Sequence, residues 1–211
     1  METLLPQLRF DIDEPAPTDL PQLSALFGHG PERICLEIGF GGGEHLVAQA
    51  AAHPADGFIG VEPFQNGMAK ALSAIRRLGL GNIRLFDQDA AFLLDWLPAQ
   101  SLARVDLLYP DPWPKKRHWK RRFVNPANIA RIARLLRGGG QFRFASDIES
   151  YVEWTLMQMA QHGGLACLTP TAAQWRDPWP GWERTRYEAK ALREGRQPAY
   201  LVYEKGVDAS G

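Results

Sequence analysis

Leu36-Glu37-Ile38-Gly39-Phe40-Gly41-Gly42-Gly43-Glu44-His45-Leu46 is the stretch on which the reading of this chain turns. An apolar run, Ile34 to Ile38, passes through a glycine-rich corner into a segment of helical character that begins near Glu44. Glycines at such a strand-to-helix turn permit positive φ and let a ligand approach the backbone closely. A dinucleotide-binding turn needs a further glycine at position 44, where Glu44 stands, and a phosphate loop needs a Gly-Lys-Ser/Thr that does not follow. Glu37, at the strand end, is badly placed beside an anion and well placed beside a cationic ligand. A tight turn that holds no ligand is the bland alternative at this point.

Working outward, short apolar runs alternate with amphipathic ones. Phe58 to Val61 leads into a helix ending near Leu78, and Ile83 to Phe86 into Ala90 to Leu97. The strand Val105 to Tyr109 precedes a helix from about Asn125 to Leu136, and the strand Gln141 to Ala145 precedes one from Ile148 to about His162. Two more strands, near Leu165 to Leu168 and Ala199 to Glu204, flank a segment rich in tryptophan and charge. The order predicts an α/β fold: a mostly parallel seven-stranded sheet with helices on both faces and ligands beyond the carboxyl ends of the strands. Residues 1–31 carry five prolines and little periodicity, so they read as an extended or partly ordered arm, with the core starting near Arg33. The domain is expected over 32–206, with a flexible tail at 207–211.

Function is therefore expected just after each strand. Gly39 and Gly41 open the first site, Glu62 closes the second strand, and Asp89 follows the third in Asp87-Gln88-Asp89-Ala90. Glu62 suits a pair of ribose hydroxyls. Asp89 suits either an adenine amino group or the N-cap of the helix it precedes. S-adenosylmethionine, with its ammonium and sulfonium, fits an acidic glycine turn of this kind better than a phosphate-bearing cofactor does.

The fourth strand ends in Tyr109-Pro110-Asp111-Pro112-Trp113-Pro114-Lys115-Lys116, whose alternating prolines stiffen the loop. It offers Asp111, Trp113 and Lys115 at the sheet edge, next to the expected methyl donor. Such a site positions a base rather than activating it. Guanine N7 has a lone pair and no proton to lose, which matches. A pyrimidine C5 methyltransferase needs a nucleophilic cysteine after this strand, and none lies between Cys35 and Cys167. An adenine N6 enzyme favours a second proline in place of Trp113.

Lys115, Lys116, Arg117, His118, Lys120, Arg121 and Arg122 surround Trp119 in a chain whose 24 basic and 24 acidic residues otherwise balance. Such a run is either a solvated face or a phosphate-binding patch. Arg131, Arg134 and Arg137 extend the candidate patch, and Trp113 and Trp119 offer rings for an unstacked base. A second candidate surface spans 175–196, where Thr185, Arg186, Tyr187 and Glu188 put a hydroxyl and a carboxylate close together. Asp147 is either an acceptor for guanine N1–H and N2–H or a helix N-cap.

The whole chain sets further bounds. At 211 residues and 45% hydrophobic composition it can bury a core of its own. Cys35 and Cys167 lie in apolar contexts that suit reduced thiols, and neither a signal peptide nor a membrane span is visible, so a cytoplasmic protein without a metal site is expected. A nicotinamide-dependent oxidoreductase using Glu62 is the rival from another enzyme class, and the missing third glycine counts against it. An RNA-binding module without chemistry would keep the basic run but would not need acids at every strand end.

LEIGFGGGEHL at 36–46, YPDPWPKKRHWKRRFV at 109–124, SDIESY at 146–151 and TRYE at 185–188 together resemble the bacterial tRNA (guanine-N7)-methyltransferases of the TrmB type, over about 33–205. The resemblance implies a class I, Rossmann-like methyltransferase acting on the variable-loop guanine at position 46 of tRNA. It implies cofactor contacts at Glu37, Glu62, Asp89 and Asp111, with Asp111 also catalytic. Substrate contacts fall on Lys115, Asp147 and Thr185 to Glu188, and RNA contacts on Arg117, His118, Lys120, Arg121 and Arg122. The family often has histidine after the PDPW tryptophan, where this chain has Pro114. No obligate protein partner is expected, and a monomer is favoured over a homodimer.

Overall fold

A computed structural model describes residues 4–207. Seven strands, β1 (Ile34–Ile38), β2 (Gly57–Val61), β3 (Ile83–Phe86), β4 (Leu102–Leu108), β5 (Leu136–Ser146), β6 (Ala166–Cys167) and β7 (Ala199–Glu204), form one sheet in the order β3-β2-β1-β4-β5-β7-β6. Pairing is parallel from β3 through β5, and β7 runs antiparallel to both of its neighbours. The strand order reverses between β1 and β4, which is where an open α/β sheet leaves a crevice at its carboxyl edge.

Strand β1 is buried at every position because both faces of the sheet are covered. Ile34, Leu36 and Ile38 face the larger core, shared with α5 (Ala90–Trp96), α6 (Pro126–Leu135) and α7 (Glu149–His162). Cys35 faces the smaller core, shared with α3 (Glu44–Ala52) and α4 (Gln65–Leu78). In α4 the buried Met68, Ala71, Leu72 and Ile75 recur at helical spacing, and Gly79, at φ 64°, closes the helix. Asn125 begins α6 by accepting the Asn128 N–H, followed by Pro126 in the first turn.

Two expectations need correction. The core does not start near Arg33: α1 (Leu5–Leu8) and α2 (Leu20–Ala25) pack on the sheet, and Phe10, Leu23 and Phe27 are buried in the larger core. The Phe10 N–H donates to Leu85 O at the sheet edge, so a segment without periodicity is ordered by long-range contacts. Strand β5 also begins five residues earlier than Gln141, since Leu136 pairs with Leu102. Residues 208–211 of the expected tail lie outside the described residues. Among the described residues no helix is long and apolar enough to cross a membrane, and both cysteines are free.

Candidate active site

A cleft of about 490 Å³ opens at the carboxyl ends of β1, β2 and β4. Its lining includes Gly39, Gly41, Glu62, Asp89, Asp111, Trp113, Arg121 and Tyr187 around an apolar floor of Ile38, Val61, Ala90 and Leu107. The backbone builds the cofactor half. Gly39 and Gly41 take φ of 71° and 58°, and α4 presses so close that a Cβ on Gly67 would sit 2.2 Å from Gly41 O. The buried Glu62 carboxylate accepts the Gly41 N–H at 2.7 Å and the Phe64 N–H at 3.0 Å, one on each oxygen. Asp89 both caps α5, accepting the Ala91 N–H at 2.8 Å, and lines the cleft, so its two sequence readings are compatible.

Three carboxylates, Glu62, Asp89 and Asp111, outweigh the single cation Arg121 in this lining, and its donor set fits S-adenosylmethionine better than a phosphate-bearing cofactor. Each oxygen of Glu62 keeps a lone pair for a ribose hydroxyl, and Asp89 keeps an oxygen for an amino group. Glu37 is placed differently from the others. It is buried behind the glycine turn, where His45 Nδ1 lies 2.7 Å from its carboxylate. Burial pushes the Glu37 carboxyl above its usual range, against the pull of His45. For His45, burial opposes the charged ring but Glu37 outweighs it, and its pKa is raised. Trp182 packs over the His45 ring, and beside this pair Arg104 bonds Asp106 at 2.8 Å.

The loop after β4 forms the other wall. Tyr109 and Trp113 hold φ of 50° and 42°, two non-glycine residues in the left-handed region within one short loop. Each such residue costs about 1–3 kcal/mol and persists only where its surroundings enforce it. Asp111 stands exposed between them at the cleft. Arg121 stacks over Trp113 at 4.9 Å and lines the same cleft.

The basic run folds into a 3₁₀ turn, Lys116–Arg121, directly after this loop. Lys115, Lys116, Arg117, Lys120 and Arg121 are exposed and His118 is half-buried. Arg122 does not belong to that surface. Its side chain is fully buried, donating to Pro112 O, Ser150 O and Ser150 Oγ, and it packs on Trp119. Trp119 is therefore part of an internal cluster with Trp154 rather than a free stacking ring. Arg131, Arg134 and Arg137 do not extend the patch either: they bond Asp95, the Leu94 and Leu97 carbonyls, and Glu32 O respectively.

The insertion before β7 carries α8 (Arg186–Arg193), whose start overhangs the glycine turn. Arg186 and Tyr187 lie about where a Cβ on Gly41 would reach, at 3.2 Å, and Arg186 lies 3.8 Å from Glu44. Thr185 is the N-cap, accepting the Glu188 N–H at 3.1 Å. Glu188 is buried behind it and accepts from Trp182 Nε1 at 2.7 Å and the Tyr200 hydroxyl at 2.8 Å. Asp147 sits in a separate recess and pairs with Arg196; Ile148, not Asp147, occupies the N-cap position of α7. Of the residues singled out in the sequence, the cleft thus gathers Gly39, Gly41, Glu62, Asp89, Asp111, Trp113, Arg121 and Tyr187, with Lys115 on the adjoining turn. Glu37, Asp147, Thr185 and Glu188 surround it at one remove.

Residues 31–201 match the family described as "Putative methyltransferase". A tRNA (guanine-N(7)-)-methyltransferase of Rhizobium meliloti (strain 1021) is 57% identical over 205 residues, covering 97% of this chain and 87% of the relative. The chain belongs to the tRNA (guanine-N7-)-methyltransferase family. A family member of Rhodopseudomonas palustris (strain BisA53) is 55% identical, with 97% of this chain and 80% of the relative covered. Among solved structures, that of the 16S rRNA methyltransferase KamB superimposes with a TM-score of 0.60 at 16% identity, covering 90% of this chain and 95% of that one. A SAM-dependent O-methyltransferase from Thermotoga maritima gives 0.54 at 15% identity, covering 90% and 64%. These two likenesses show the fold alone, that of class I methyltransferases.

Within this tRNA (guanine-N7-)-methyltransferase fold, Gly67, His45, Tyr200 and Arg196 also shape the site, although the sequence carries no expectation for them. A glycine inside the helical pattern of 65–78 was a usable signal for Gly67, because it costs about 1 kcal/mol relative to alanine without a packing reason. His45, Tyr200 and Arg196 act through side chains 8, 12 and 49 residues away, and no local pattern marks them.

Proposed function

We propose that this chain transfers a methyl group from S-adenosylmethionine to N7 of the guanine at position 46 in the tRNA variable loop. The observation that carries this reading is one cleft in which the Glu62 and Asp89 rim meets Asp111, with the exposed basic turn at its mouth. When bound, S-adenosylmethionine supplies an electrophilic methyl group on a positive sulfur. The Gly39 and Gly41 backbone and Glu62 would hold the donor, with Asp89 toward its base. Guanine N7 would accept the methyl group through its lone pair, the donor's sulfur keeping the electrons of the bond that breaks, so that the positive charge would come to rest on the purine. Asp111, within the cleft, offsets that charge, while Trp113 and Arg121 orient the base. No proton has to move at N7, so no general base is needed.

The exposed cations from Lys115 to Arg121 would take phosphates, and Tyr187 would cover the donor from α8. We read residues 32–206 as the methyltransferase domain, residues 4–31 as an extension clasped onto it, and the protein as a cytoplasmic monomer with no obligate protein partner. Incubation with labelled S-adenosylmethionine and tRNA, followed by mapping of N7-methylguanine, tests the reaction. Label elsewhere than position 46, or none from folded protein, overturns it. Light scattering of the purified chain tests the monomer.

A further inference from the structure

Within the run from Lys115 to Arg122, the last residue alone is buried, with 0% of its surface exposed. All sides of its guanidinium are engaged. Nε donates to Pro112 O at 2.9 Å, and the two terminal nitrogens donate to Ser150 O at 2.7 Å and Ser150 Oγ at 3.1 Å. Its plane lies against Trp119 and Tyr151, 4.4 and 4.7 Å from their centroids. Carbonyls, a hydroxyl and ring faces thus hold a buried cation without a carboxylate among its described partners, an arrangement that is costly unless the geometry is closely matched. Lysine would carry the charge but not the three directed bonds of the fork.

What those bonds join is informative. Pro112 O belongs to the peptide leading into Trp113, so the bond from Nε sets the plane of the unit between Pro112 and Trp113, one residue beyond Asp111. Trp113, at φ 42°, is confined on its other side by Pro114. Ser150 lies in the first turn of α7, three positions after Asp147. One side chain therefore ties the Asp111 turn to the Asp147 turn, although it reaches neither the cleft nor solvent.

We propose that Arg122 is a positioning residue for methyl transfer: through Pro112 and Ser150 it holds the Asp111–Trp113 turn at a set distance from the Asp147 turn. The proposal rests on the acceptor-site reading given above. It separates Arg122 from Arg121 next to it, which faces the cleft. A phosphate contact would require the opposite exposure.

Arg122→Lys and Ser150→Ala, each compared with the wild-type chain and with Lys120→Ala, test it through a split between kcat and KM. Arg122→Lys should lower kcat on the order of tenfold to a hundredfold, the scale expected for a small misplacement of reacting groups. Its KM for tRNA, the salt slope of tRNA binding and its affinity for S-adenosylhomocysteine should stay within about twofold of wild type. Ser150→Ala, which deletes one of the three bonds, should lower kcat less, in the same pattern. Lys120→Ala should do the reverse, shifting tRNA affinity and salt slope at constant kcat. Wild-type kcat in folded Arg122→Lys and Ser150→Ala overturns the proposal, as does a loss confined to tRNA affinity. If Arg122→Lys does not fold, the Ser150→Ala result decides alone. Failure of the wild-type chain to methylate tRNA would instead sink the functional reading on which the proposal stands.

Discussion

The two halves of the cleft are built by different means. In the cofactor half, carboxylates are held by backbone N–H groups: Glu62 by Phe64 and by Gly41 of the glycine turn, Asp89 by Ala91. Around the acceptor half, the acids are held by side chains instead: Glu188 by Trp182 and Tyr200, 6 and 12 residues away, and Asp147 by Arg196, 49 residues away. The loop bearing Asp111 is tied at Pro112 O to Arg122, which also bonds Ser150 in α7. The methyl donor common to class I methyltransferases meets a site made by backbone geometry. The part proposed to take the purine meets a site made by side-chain packing.

Substitutions on either side can break that contrast. Asp111→Ala should have the largest effect, lowering kcat about 10²–10³-fold, the scale of losing one group aimed at developing charge. Titration with S-adenosylhomocysteine should show a far smaller change, and an equal loss in both would merge the halves. Glu62→Gln should act the other way, weakening cofactor affinity by about ten- to a hundredfold, as for a charged hydrogen bond of about 1.5–3 kcal/mol. Single-turnover rates at saturating cofactor would stay near wild type.

Trp182→Phe leaves the buried Glu188 carboxylate short of a donor, and denaturant unfolding should show a loss of about 1–3 kcal/mol with cofactor affinity preserved. Lys120→Ala should reduce the slope of log K against log salt for tRNA by about one, with no change in melting temperature. The smallest effect concerns the buried pair behind the glycine turn. His45 has a folded pKa above its ordinary 6.5, so the stability it gains from Glu37 is fully present below that value. It is lost as pH rises through the raised folded pKa. Melting curves of wild type and His45→Gln should therefore converge with rising pH, and a constant gap would show that the pair is not an ion pair.

Much of this was legible in the residues themselves, and the limit falls along the same line as the contrast. Strand alternation, the glycine corner and the acids that close β2 and precede α5 are short-range patterns, in which one residue's role is set by neighbours a few positions away. They located Glu62, Asp89 and Asp111 in one cleft. Composition could not distinguish Arg121 from Arg122, since two adjacent arginines in a basic run are alike until α7 packs against one of them. It likewise left Phe10 in a proline-rich arm, because nothing nearby shows that β3 offers it a partner.

By itself, then, the sequence determined the sheet, its carboxyl-edge crevice and the acidic character of that crevice, because hydrophobic period and turn chemistry act over a few residues. Only the tertiary structure decided which cations face solvent, which acids are already paired and how the Asp111 loop is held. Those outcomes depend on which distant groups share a buried volume, and burial is a property of the assembled chain.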